Sequence, residues 1–211
     1  MNIDFLQIAI VLGVILFSMT LHEAMHAFTS YFLGDDTAKL QGRLTLNPIK
    51  HIDPFLTIIL PLGLALVGGP IFGGAKPVPF NPDRVRYDEW GAALVAVAGP
   101  LTNLLIAFIS FGLYVVVGQS NELLATILVT STQVNLGFFI FNMIPLPPLD
   151  GSRVLYALAP EFVRRGMELI EQFGIFFIFA IVLIASPVIG SFMGTSIAWF
   201  LDLFSMIFMI S

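Results

Sequence analysis

The sequence predicts an all-α polytopic membrane protein, with five to six membrane segments, one of them re-entrant, and a small β element at the cytoplasmic interface. Three observations lead there. Hydrophobic residues make up 57% of the chain and charged residues 11%, against roughly 25% charged in soluble domains. The mean hydropathy is +0.94. Charge-free stretches recur near the length of about 20 residues that crosses a bilayer. The 211 residues read as one membrane-embedded domain, a core over 5–156 followed by C-terminal helices over 160–211. The lipid bilayer is therefore a partner. A net charge of -5 spread over loops gives no nucleic acid a binding surface. Without cysteine, disulfides and thiolate chemistry are excluded.

The first segment, 5–33, has no charged side chain before Leu21 and stops at "LGDD". Its start, "MNIDFLQIAIVLG", lacks a basic n-region and a cleavage site, so it reads as a retained helix. The second, 54–72, carries helix-breaking Pro61 and Gly63 and ends in "GGPIFGG". The third covers 89–118 and the fourth 122–143. The last region, 173–210, is long enough for two short spans broken at "SPVIG". Ahead of it, "PEFVRRGMELIEQFG" sets Arg164, Arg165, Glu168 and Glu171 opposite Phe162, Val163, Met167 and Ile170, as an interfacial amphipathic helix does.

Lysine and arginine mark the cytoplasmic side. If 54–72 dips in and returns, all nine share one face, and the N-terminus, "GQSN" and "SPVIG" have none on the other. The N-terminus then lies outside the cytoplasm and His22 and His26 near the cytoplasmic end of their helix. Period-two alternation in "AKLQGRLTL" places Leu40, Leu44 and Leu46 on one side of an extended strand. The prolines of "AKPVPFNP" suit only an edge strand.

The chemistry concentrates in "TLHEAMHAFTS". On a helix, His22 and His26 stack at i and i+4, a spacing that offers two imidazoles to one zinc ion. Glu23, one position on, is placed to take a proton from water without ligating. The alternative is an interhelical polar cluster; ionisable groups inside membranes are rare and usually functional. Catalytic zinc ordinarily has three protein ligands. The third histidine, His51, sits in the loop "NPIKHIDP". In "FNMIPLPPLDGSRVL" the prolines break the fourth helix, and Asp150 follows on the unwound stretch beside Gly151, which permits an unusual turn. Asp150 is either the third ligand or a solvent-facing helix terminator.

HEAMH at 22–26, AGPLTN at 98–103 and NMIPLPPLDG at 142–151 together resemble the site-2 protease family of intramembrane zinc metalloproteases. The resemblance covers residues 20–156; "LQGRLTLNPIKHIDP" and "AKPVPFNP" are similar to its compact members. It implies Zn2+ held by His22, His26 and Asp150, with Glu23 as general base and acid. It also implies that Asn142 stabilises the oxyanion or holds the substrate backbone, although its amide could instead bond carbonyls freed by the prolines. Asn103 matches the family's G-x-x-x-N position, where Gly99, Ala96 and Ala98 point to close helix packing. Three departures from the family are expected: no appended peptide-binding domain such as PDZ, no additional helix of the kind the family often has before the HExxH helix, and an insertion at 54–72. The implied reaction is peptide-bond hydrolysis in or near a transmembrane segment of a protein substrate, which the edge strand around Ala75–Phe80 would hold extended by strand addition. The competing readings are a non-catalytic membrane scaffold and a metal transporter. A transporter would need further polar groups along its path, and the third and fourth segments are expected to offer few.

Overall fold

The computed structural model describes residues 5–59 and 74–209. Among them the chain forms helices α1 (Phe5–Phe32), α2 (Thr37–Leu40), α3 (Asp88–Val117), α4 (Glu122–Asn142), α5 (Gly151–Leu158), α6 (Glu161–Glu171), α7 (Ile175–Ile184) and α8 (Ser186–Ile207). Four of these, α1, α3, α4 and α8, are long and apolar enough to cross a membrane. Helices α6 and α7 reach that standard only as a pair bent by 89°. The protein is a multi-pass membrane protein.

The bundle sorts its residues by size rather than by polarity. Helix α3 turns Leu101, Leu105, Ile109 and Leu113 outward, each about half exposed, and buries Ala92, Ala96, Gly99, Asn103, Ala107 and Ser110. Lipid tails are as apolar as leucine, so large side chains gain little by facing another helix; small ones let backbones approach and gain dispersion contact. That inner face packs on both α1 and α4. Helix α8 closes the outer side of α4 with a cluster in which Phe204 meets Ala107, Leu136 and Ile140.

Helix α8 also fixes a direction. Its early residues Val188, Ile189 and Phe192 lie against Met143, Ile144 and Pro145 at one end of α4. Further on, Phe200 meets Phe139, with ring centroids 5.5 Å apart. At the C-terminal end Phe208 meets Phe111 at 5.9 Å. The helix thus runs away from the "PLPPLDG" end of the bundle. The expectation of two short spans across 173–210 is corrected: α7, ten residues long, rises only about 15 Å. Its Ile178 and Val182 pack on Leu149 beneath the proline-rich loop instead. The break at "SPVIG" accordingly sits at the same end as that loop, not opposite it.

The flanks of the second segment, 54–72, meet. Thr57 donates to the Gly74 carbonyl (2.7 Å) and the Lys76 N–H to the His51 carbonyl (2.9 Å). The chain therefore leaves and rejoins the bundle at one end, as the re-entrant reading requires. Apart from the single wide turn Pro54–Ile59, the segment itself lies outside the described residues.

No strand forms among the described residues, so the expected β element is corrected. The alternation in 38–46 fails because its polar member goes inside: Arg43 is buried while Leu40 and Leu46 are exposed. In "AKPVPFNP" the prolines lack N–H groups, and the amides of Lys76 and Val78 are spent on the His51 carbonyl and the Glu23 carboxylate. No donor between residues 76 and 79 is left for a ladder. Helix α6 is amphipathic as expected in burying Met167, but Phe162 stays outward. Its charged side ties neighbouring elements together through Arg164 with Glu89, Glu168 with Tyr156, and Glu171 with Arg153.

Candidate metal centre

The site forms where α1 crosses α3 under the loop that follows α4. His22 and His26 stack on one face of α1, ring centroids 4.7 Å apart and nearly perpendicular. Their Nε2 atoms are 3.0 Å apart. Asp150 Oδ2 lies 3.2 Å from His22 Nε2 and 3.5 Å from His26 Nε2. Both histidines are buried and Asp150 is partly so; the three are a candidate metal-binding group within the described residues. A tetrahedral zinc ion with bonds of about 2.0–2.2 Å holds its ligand atoms roughly 3.3–3.5 Å apart. The donor set and spacing fit zinc.

The local structure of each ligand follows from its sequence. Asp150 stands at the N-cap of α5, a position where aspartate ordinarily accepts from the first-turn amides. Here it makes no capping bond, and its carboxylate faces the imidazoles. Gly151 permits this by close approach rather than by the unusual turn expected: a Cβ there would lie 2.4 Å from the Met143 carbonyl oxygen. The chain doubles back directly over the end of α4.

Each imidazole is oriented from behind. His22 Nδ1 is 2.6 Å from Asn103 Oδ1, and His26 Nδ1 is 2.8 Å from the Val95 carbonyl. A ring that donates from Nδ1 presents an unprotonated Nε2, the form a metal needs. Between them sits Gly99, where a Cβ would lie 2.5 Å from His26 Nε2 and 2.7 Å from His22 Nε2. Absence of a side chain at Gly99 makes the room for an ion. The packing role expected for Gly99 and Asn103 is thus joined by one at the site. Their spacing, i and i+4 on α3 opposite His22 and His26 at i and i+4 on α1, was the available clue.

Glu23 accepts from the Val78 N–H (2.9 Å), so the segment before α3 lies across its carboxylate. Asn142 turns its amide back to the Phe138 carbonyl (2.9 Å), four residues earlier in its own helix and not one freed by the prolines. His51 stays in its loop. It is buried, with Nδ1 3.4 Å from Arg43 Nη2 and Nε2 2.8 Å from the Thr45 carbonyl, and it lies outside the candidate metal group. Sequence reasoning missed Arg43, which donates to the Lys76 carbonyl at 2.5 Å and so pins the segment that covers Glu23.

Asp35, just past α1, holds the other end of that segment. It is fully buried and accepts from Thr37 Oγ1 (2.5 Å), Thr37 N–H (3.0 Å) and Asn81 N–H (2.7 Å). Burial alone would raise its pKa, but these bonds, with Arg84 nearby, hold it below the ordinary carboxylate value.

No family model and no solved structure matches the chain. The chain is 45% identical over 186 residues to "Putative zinc metalloprotease YwhC" of Bacillus subtilis (strain 168), covering 83% of this chain and 79% of that one. It is 32% identical over 197 residues to "Putative zinc metalloprotease Rip2" of Mycolicibacterium smegmatis, covering 89% and 71%. A shorter match, 37% identity over 98 residues, is to "Putative zinc metalloprotease MJ0611" of Methanocaldococcus jannaschii, covering 46% of this chain and 50% of that one.

Proposed function

Because the chain belongs to the zinc metalloprotease family of YwhC and Rip2, we propose that it is an intramembrane protease of the site-2 type, hydrolysing peptide bonds in or near transmembrane segments of membrane proteins. The observation that carries this reading is the convergence of His22, His26 and Asp150 within a bundle of membrane-crossing helices. Metal hydrolysis of a membrane-embedded bond needs a site at that depth.

His22, His26 and Asp150 hold the zinc, which supplies Lewis acidity towards the scissile carbonyl and makes water acidic enough to ionise near neutral pH. Glu23 takes the proton from the attacking water at its carboxylate and passes it to the leaving amine nitrogen. The Val78 N–H is given to one of the Glu23 oxygens, Oε2, and a carboxylate keeps further acceptor sites for the proton. Asn142, once its amide turns from the Phe138 carbonyl, donates to the developing oxyanion, an interaction worth about 3 kcal/mol in other enzymes. All nine lysines and arginines lie within residues 39–86 and 153–165, and this positive excess supports reading the site as nearer the cytoplasmic side of a prokaryotic cell membrane. Substrate strand addition at Ala75–Phe80 finds no support in the amides of residues 76–79, which are absent or already bonded.

A metal transporter gains one observation. Contrary to expectation, α3 and α4 bury Asn103, Ser110, Thr130, Thr132 and Asn135. These are neutral, however, and a path for a divalent cation calls for carboxylates. The test is Glu23→Gln in purified enzyme with a model transmembrane substrate. The variant is expected to keep its zinc and lose at least 100-fold in cleavage, the range of a general base. Unchanged cleavage, or wild type that holds no zinc, overturns the proposal.

A further inference from the structure

Resting on the zinc reading above, we infer that Asn135 is a positioning residue for His22, through a chain of hydrogen bonds whose direction is set at the Ser131 carbonyl. An asparagine amide has a donor end and an acceptor end of nearly the same shape. Its orientation is therefore decided by its partners. Asn135 Nδ2 lies 2.8 Å from the Ser131 backbone carbonyl and 2.8 Å from Ser18 Oγ. A carbonyl only accepts, so the end of Asn135 that faces it must be the NH2. Asn135 Oδ1 then points the other way, and Asn103 must meet it with its own NH2, at 2.8 Å. That turns Asn103 Oδ1 to His22, 2.6 Å from Nδ1, and an amide oxygen can only accept.

His22 is thereby obliged to carry a proton on Nδ1 and to leave Nε2 bare towards Asp150 and the metal. Ser18, Asn103 and Asn135 are each 0% exposed, so bulk solvent does not reach these side chains, and the polarity imposed by one helix carbonyl is transmitted across three helices. Without Asn135 the Asn103 amide is free to turn over. Its NH2 would then face His22, the proton would move to Nε2, and the imidazole would be blocked as a ligand.

The test measures zinc affinity by chelator competition in detergent, with thermal unfolding of the metal-free protein beside it. Asn135→Leu is expected to weaken zinc binding by about 10- to 100-fold, as loss of an outer-shell partner does. Asn103→Asp in the same background offers His22 only acceptor oxygens and cannot be turned the wrong way. The double variant is therefore expected to return to within about threefold of wild type, a rescue that a purely structural role would not show. Wild-type affinity in Asn135→Leu, or no recovery in the double variant, overturns the inference. Should Asn135→Leu not fold, Asn135→Ala decides on the same terms: it too removes the acceptor that meets the Asn103 amide, so a loss of about tenfold or more in zinc affinity supports the chain and wild-type affinity refutes it. Wild type without zinc would instead sink the metalloprotease reading, a result distinct from a zinc-binding wild type whose affinity ignores Asn135.

Discussion

Gly99→Ala is the sharpest test of the metal centre, because it adds one methyl group and replaces no proposed ligand. The added Cβ would sit 2.5 Å from His26 Nε2 and 2.7 Å from His22 Nε2, where ordinary contact begins at 3.4 Å. Something must give by about 0.9 Å at the closer atom. The rings cannot swing away cheaply, since His22 is held by Asn103 and His26 by the Val95 carbonyl. Nor can the helices part without losing the small-residue contact between α1 and α3. Overpacking of this kind costs about 1–3 kcal/mol. If that cost falls on the metal-bound state, zinc affinity drops by roughly 5- to 150-fold, and the methyl also occupies the volume between the ligand atoms. The assay is zinc content and chelator competition on detergent-purified protein. Gly137→Ala on α4 is the control: nothing lies within 4 Å of its Cβ, so zinc is expected to be unchanged and the helix slightly stabilised. Full zinc occupancy and wild-type affinity in Gly99→Ala would refute the placement of the ion beside α3.

Asp150→Ala should reduce bound zinc below one per chain, whereas His51→Ala should retain it and lower the melting temperature, as metal analysis and thermal unfolding would register. Val78→Pro removes the N–H that Glu23 accepts; zinc should stay bound while the pH profile of cleavage shifts, and an unaltered profile would show that the contact does not bear on the base. Asp35 predicts a pH dependence: its folded pKa is held below the unfolded value of about 3.9. Its contribution is therefore complete above that value and is lost as pH falls through the lower folded one. Asp35→Asn should flatten the fall in melting temperature below about pH 4, and a variant with the wild-type acid profile would contradict the assignment.

The membrane class, three of the four long helices and the pair of histidines at i and i+4 were legible in the sequence, because each rests on local pattern. A run of apolar residues must be helical to satisfy its backbone in lipid, and helical geometry alone brings His22 and His26 to one face. Asp150 was legible only as a candidate; its approach to the imidazoles depends on how the proline-rich loop folds back, which is a contact across more than a hundred residues. The same distinction explains the errors. Alternation in 38–46 suggested a strand with leucines inward, but the Lys76 carbonyl and His51 drew Arg43 inside instead. The last region held enough apolar residues for two spans, but α7 found a partner in the ligand-bearing loop. Local spacing determined which groups could do chemistry. Only the tertiary structure decided which backbone stood behind each group, because the direction of a hydrogen bond and the room for an ion are set by the opposite helix.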